Sequence, residues 1–246
     1  VFTSGGSVAN MIGLAVARDA RLAGDMNGAV IYCTDQTHSC VARGLRILGF
    51  QPEQLHAIPV DSEFSMDLTV LRAAINSDRV AGKRPFAIVA NAGTTNTGSV
   101  DDLNAIADLA AEQDLWVHVD GAYGGAGTLS QEGQRLMAGM ERADSVVIDP
   151  HKWLFQPYEA GICFVRDAGL MGHAFASNPE YLQDVAEGED EVNFSERGIQ
   201  LSRGLRAFKL WLSLKVFGAK AFHAAVERGV QIARDAEAML RENGRF

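Results

Sequence analysis

Two predicted strands in this chain end on groups that can do chemistry. The stretch Ser145-Val-Val-Ile-Asp-Pro-His-Lys-Trp-Leu154 opens with a β-branched run that reads as a buried strand, and Asp149-Pro150 stops it. His151 and Lys152 are then held at a strand's end, with Trp153 and Leu154 packing behind them. Lysines ordinarily snorkel to water. One kept back from it can offer a neutral amine to a carbonyl and form a Schiff base. A surface lysine after a turn is the ordinary alternative for this tetrapeptide taken alone. Upstream, Leu115-Trp-Val-His-Val-Asp120 is another apolar strand; it ends in an acid and runs into Gly121-Ala-Tyr-Gly-Gly125. An acid at the C-terminal end of a parallel strand points into the crevice where α/β proteins bind ligands. Capping the following turn is its plainer role.

Taken as a pair, Asp120 and Lys152 suggest more. An acid that holds a proton on a pyridine nitrogen and an amine that holds an aldehyde are what pyridoxal 5'-phosphate requires of a protein. The run His118-Val-Asp-Gly-Ala-Tyr123, followed by Pro150-His-Lys-Trp153, resembles the group II pyridoxal-phosphate-dependent amino acid decarboxylases, in particular the aromatic-L-amino-acid decarboxylases. The likeness runs through nearly the whole chain, with several spaced motifs in the right order.

The elements that must position these groups alternate along the sequence. Residues 4–10, Ser-Gly-Gly-Ser-Val-Ala-Asn, lead into a helix at Met11–Leu22. A glycine-rich turn opening a helix presents free N–H groups to an anion, although a plain N-cap by Ser7 explains it as well. Ala29–Cys33 is a strand, Cys40–Leu48 a helix, Leu55–Val60 a short strand and Asp67–Asn76 a helix. Phe86–Ala90 is a buried strand ending in Asn91-Ala-Gly-Thr-Thr95, and Gly98–Asp102 caps a helix to about Gln113. Gly161–Val165 adds a strand after the lysine. Such alternation predicts an α/β fold with a mostly parallel sheet flanked by helices. Residues 171–197 lose periodicity and turn acidic, as a lid or a disordered segment does. Ile199–Gly218 reads as a long amphipathic helix with Leu201, Leu205, Phe208, Leu212 and Val216 on one packing stripe, and Ala219–Glu242 as another helix.

The resemblance implies the fold-type I, pyridoxal-phosphate transferase-like large domain. It implies decarboxylation of an L-amino acid, aromatic by preference, to an amine and carbon dioxide through a Schiff base and a quinonoid intermediate. Lys152, His38, Asp120 and Tyr181 take catalytic roles. Lys152 carries the cofactor, Asp120 pairs with its ring nitrogen, His38 covers one face of the ring and Ala122 lies under the other. Gly6 and Ser7 hold its phosphate, Thr95 lies beside it, and Asp149 and His151 complete the contacts. Relatives often carry Asn where this chain has Asp149; an amide donates to phosphate whereas a carboxylate repels it. Tyr181, in the acidic segment, returns a proton to the substrate carbon. Residues 1–218 are then the cofactor-binding domain and 219–246 a helix leading to a small C-terminal domain. The chain starts with no lead-in strand and is expected to be an internal piece of a homodimeric protein. Leu154–Tyr158 are candidates for specificity, and Arg203 and Arg206 have no assigned role.

Composition narrows the alternatives. A net charge of −9 over 246 residues leaves no basic stripe for nucleic acid, and no apolar run approaches the ~20 residues that cross a bilayer. Three cysteines, Cys33, Cys40 and Cys163, lack CxxC spacing, so neither a disulfide framework nor a metal site is indicated, and the cytoplasm is the expected compartment. A dinucleotide binder is a poor fit, since no GxGxxG follows a strand. A pseudoenzyme fits poorly beside an intact Lys152, Asp120 and His38. The competing activities are a glutamate or diaminobutyrate decarboxylase and an aldehyde-forming decarboxylase. The expected partner is a small-molecule amino acid.

Overall fold

The computed structural model describes residues 1–176 and 192–243. Its elements run β1 (Phe2–Thr3), α1 (Gly6–Leu22), β2 (Ala29–Thr34), α2 (Cys40–Ile47), β3 (Leu55–Ile58), α3 (Leu68–Val80), β4 (Arg84–Asn91), α4 (Leu103–Gln113), β5 (Trp116–Asp120), α5 (Gln131–Leu136), β6 (Ser145–Ile148), β7 (Gly161–Val165), α6 (Ala168–Phe175), α7 (Arg206–Phe217) and α8 (Ala219–Glu242). Seven strands form one sheet in the order β1-β7-β6-β5-β4-β2-β3. β3, β2, β4, β5 and β6 pair in parallel, whereas β7 runs antiparallel to both β6 and β1. The mostly parallel sheet expected from the alternation is therefore present.

The pleat divides the core in two. Ile31, Val89, Trp116 and Val147 face a cluster that includes Ile12, Val16 and Leu45 of α1 and α2. Tyr32, Ile88, Val117 and Val119 face the opposite cluster, with Leu71, Ile75 and Ile106 of α3 and α4. Both faces are covered, which is why these strands read as continuous apolar runs. Each such side chain contributes about 1.5–3 kcal/mol on burial. Strand alternation also puts Trp116, His118 and Asp120 on the α1 side of β5.

Several boundaries differ from the sequence reading. α1 starts at Gly6 rather than Met11, and its N-cap is Gly5 with no side-chain cap, so Ser7 lies inside the first turn and does not cap it. A lead-in strand does exist: Phe2–Thr3 pairs with β7. α3 runs on to Val80, started by Asp67, whose carboxylate accepts from the N–H groups of Thr69 and Val70. The expected aperiodic stretch begins inside α6, which ends at Phe175. The long helix predicted from Ile199 starts only at Arg206. Gly204 precedes it, and glycine costs roughly 1 kcal/mol against alanine within a helix. Its expected packing stripe is not buried among the described residues: Leu201, Leu205, Phe208, Leu212 and Val216 are all exposed.

Candidate active site

The C-terminal ends of β4, β5 and β6 open onto a cavity of about 280 Å³, where parallel α/β sheets bind ligands. Gly6, Ser7, His38, Thr95, Asp120, Ala122, Asp149, His151 and Lys152 all line it. Tyr181 lies outside the described residues.

Its wall is built from strand ends and one helix start. β5 ends at Asp120, 7% exposed, and one of its carboxylate oxygens accepts the N–H of Ala122 at 3.1 Å. That bond turns the backbone sharply and places the small Ala122 side chain on the cavity wall. β6 ends at Ile148, and Asp149 takes the chain across by donating its N–H to the carbonyl of Ala122 at 3.2 Å. The lysine turn is closed by the N–H of Lys152, which donates to the Asp149 carbonyl at 2.9 Å. Strand-end geometry thus holds both the acid and the lysine, as a floppy loop would not.

Three charged or titratable side chains meet here. Lys152 Nζ, one-third exposed, lies 3.1 Å from Asp149 Oδ2. His151 Nε2 lies 3.5 Å from the same oxygen. His151 Nδ1 accepts the Ala160 N–H at 3.1 Å, so the ring carries its proton on Nε2 and faces Asp149 with it. Tyr158 stacks on this ring at 4.5 Å between centroids. The other oxygen of Asp149, Oδ1, is buried with no hydrogen-bond partner among the described residues. A buried carboxylate oxygen left bare is costly unless a donor arrives with a ligand.

The first turn of α1 forms another wall. No side chain caps it and no acid lies in it, so its N–H groups and the positive end of a 17-residue helix face the cavity. Glycine is required at position 6: a Cβ there would fall 2.9 Å from Asp149 Oδ2 and 3.0 Å from the Ala122 Cβ. His38 precedes α2, and its Nδ1 accepts the N–H of Cys40 at 3.3 Å. The other nitrogen is therefore the one able to carry a proton. Cys40 lines the cavity too, but burial pushes its thiol up to about 11, which keeps it protonated and unreactive.

Beneath the cavity lies a network that the sequence reading missed. His118, wholly buried, places Nδ1 2.7 Å from the Ser145 hydroxyl and Nε2 2.8 Å from Asn10 Oδ1. The Asn10 amide donates to the Gly6 carbonyl at 2.9 Å. Trp116 Nε1 donates to Ser145 Oγ at 2.9 Å. A polar residue inside an apolar strand was the one signal available for His118; nothing local named its partners. Tyr123 also lines the cavity and meets Trp153 edge to face at 5.6 Å. Arg206 pairs with Glu159 and Arg203 donates to the Phe194 carbonyl, so both are held in structural contacts. Among Leu154–Tyr158, Gln156 turns inward, donating to the Leu154 carbonyl at 2.7 Å and accepting from Ser213 at 3.1 Å.

A family model described as the pyridoxal-dependent decarboxylase conserved domain matches residues 1–246. The aromatic-L-amino-acid decarboxylase of Bacillus atrophaeus is 47% identical over 241 residues, covering 98% of this chain and 50% of that one. Among solved structures, Rhodiola rosea 4-hydroxyphenylacetaldehyde synthase superposes with a TM-score of 0.89 at 30% identity, covering 98% of this chain and 50% of that chain. Catharanthus roseus tryptophan decarboxylase, solved in complex with L-tryptophan, gives 0.89 at 28% identity over 98% and 51% of the two chains. The sheet and its flanking helices are those of these fold-type I proteins. The chain spans about half the length of the relatives it matches.

Proposed function

The chain belongs to the pyridoxal-dependent decarboxylase family, and from this we propose that it binds pyridoxal 5'-phosphate in the cavity and removes the carboxylate of an L-amino acid, an aromatic one by preference. The products are the amine and carbon dioxide. One observation carries the reading: a single cavity collects an uncapped helix N-terminus, a buried strand-end carboxylate and a lysine amine. These suit, in turn, a phosphate, a protonated ring nitrogen and an aldehyde. Glycine at position 6 is a further sign of a cradle shaped for a ligand.

When bound, the cofactor supplies a conjugated electron sink for the bond broken at the substrate Cα. The protein's own residues do the rest. Lys152 offers its amine as the covalent anchor. The Asp120 carboxylate keeps the ring nitrogen protonated by opposite charge at short range. N–H groups of the Gly6–Ser7 turn hold the phosphate, and Thr95 lies alongside. Ala122 would leave room beside the ring, and His38, on the same cavity, would meet the ring and the substrate carboxylate. Orientation decides which bond breaks, so fixing the direction of the substrate carboxylate would be the main demand on the site. Asp149 holds the Lys152 ammonium while the amine is free, and His151, neutral, supports Asp149. Tyr181 is proposed as the acid that returns a proton to Cα.

We further propose that residues 1–218 form the cofactor-binding domain and that 219–246 lead to a smaller C-terminal domain, the whole acting as a cytoplasmic homodimer. The exposed apolar residues of α7, Phe208, Trp211 and Phe217 among them, support a further packing partner. No helix among the described residues is long and apolar enough to cross a membrane. A second reading, decarboxylation coupled to aldehyde formation, is supported by the likeness to the Rhodiola rosea aldehyde synthase.

The test is product analysis of the full-length protein with aromatic amino acids, glutamate and 2,4-diaminobutyrate. Amine and carbon dioxide from an aromatic substrate are expected. Borohydride reduction of the loaded protein should fix the cofactor on the Lys152 peptide. Label on another lysine, or no product from any substrate, would defeat the reading.

A further inference from the structure

His118 takes no part in the chemistry above, yet it is wholly buried two residues before Asp120 and is bonded at both ring nitrogens. Its protons can be placed from geometry. The Asn10 amide nitrogen donates to the Gly6 carbonyl, so the oxygen is the atom facing His118. An amide oxygen only accepts; His118 Nε2 therefore carries the proton. Nδ1 is then bare and accepts the Ser145 hydroxyl, which leaves Ser145 Oγ to accept from Trp116 Nε1. Each donor in this chain faces an acceptor only while the ring is neutral. Burial favours that state and pulls His118 down to about 4.

The network also has a direction. It starts on β5 and β6 and ends at the carbonyl of Gly6, in the first turn of α1. The helix lies so close on β5 that glycine is needed at position 13: a Cβ there would sit 2.6 Å from the His118 ring. The two protein groups that must grip opposite chemical ends of one rigid ligand, the Gly6–Ser7 turn and Asp120, are thus joined through Asn10 and His118. We propose that His118 is a positioning residue that, through Asn10, ties the phosphate-holding turn of α1 to the strand bearing Asp120 and so fixes the separation of the two anchors. This rests on the reading that the cavity takes pyridoxal phosphate.

Equilibrium binding to the full-length protein tests it, with pyridoxal 5'-phosphate and with pyridoxal, which has the same ring and aldehyde but no phosphate. His118→Phe keeps a ring and removes both nitrogens, while Asn10→Ala leaves His118 intact and cuts the link to Gly6. Each should weaken pyridoxal phosphate about tenfold, the scale of one buried hydrogen bond left unmade. Pyridoxal, which does not use the turn, should bind as before. The double variant should be no weaker than the worse single one, because both substitutions break one link. His118→Gln, whose amide can still donate to Asn10, should recover most of the affinity. Should His118→Phe fail to fold by circular dichroism, Asn10→Ala and His118→Gln decide the matter. Parallel losses for both ligands, or single effects that multiply to within about twofold, would overturn the clamp while leaving the cofactor reading intact. A wild-type protein that bound neither ligand would overturn both.

Discussion

The amine of Lys152 lies 3.1 Å from Oδ2 of Asp149, three residues before it, and a Cβ at Gly6, in the first turn of α1, would fall 2.9 Å from that same oxygen. One buried acid therefore lies beside both the lysine proposed to anchor an aldehyde and the turn proposed to hold a phosphate.

In the proposed loaded state, covalent attachment of the cofactor would engage the amine that balances Asp149 and bring a phosphate to the same wall. Asp149→Asn keeps the shape and removes the charge. Cofactor affinity should rise by up to about tenfold, equivalent to about 1.4 kcal/mol of relieved repulsion. A binding titration on the full-length protein checks this. Unchanged or weaker binding would mean that Asp149 does not repel the phosphate in the loaded state.

His118 gives a prediction about acid stability. Its proton-binding strength is lowered in the fold, from 6.5 to about 4. Above 6.5 it is neutral whether the chain is folded or not, and its network is fully stabilising. As pH falls from 6.5 toward 4, the unfolded chain gains a proton that the folded one does not, and stability is lost, on the order of 3 kcal/mol in all. Asp120, on the same strand face, opposes the shift and limits it. Denaturant melts of wild type and His118→Gln between pH 7 and pH 4, a range set by the histidine's unperturbed value, should converge as acid is added. Parallel curves would show that the fold leaves the proton affinity of His118 where it is in the unfolded chain, since only then is the difference independent of pH.

Tyr181 is assigned by resemblance alone, and its test separates the amine from the aldehyde reading. Tyr181→Phe removes one hydroxyl and keeps the ring. Amine formation should fall by at least about a hundredfold, the usual scale of one general acid. Carbon left unprotonated is then open to dioxygen, so aldehyde, ammonia and hydrogen peroxide should appear together with oxygen uptake. Amine made at an undiminished rate by the Phe variant would remove Tyr181 from the mechanism.

What the sequence determined by itself was whatever local chemistry controls. Asp120 and Lys152 were legible because each follows an apolar run that can only be a strand, and because a stop signal comes directly after. The parallel sheet was legible for the same reason, since strands and helices alternate too regularly for another packing. The tertiary structure decided which of these ends face each other. Asn10 meets His118 across 108 residues and His118 meets Ser145 across 27. Those contacts follow from strand order and from α1 lying on β5, neither of which any window of residues contains. It also decided where the elements begin: Gly5 starts α1 earlier than apolar spacing suggested, and Gly204 precedes a later start for α7 than its stripe implied. Periodicity measures which side chains would share a face, whereas the energy of ordering the backbone and the neighbours available for packing settle whether a helix forms there.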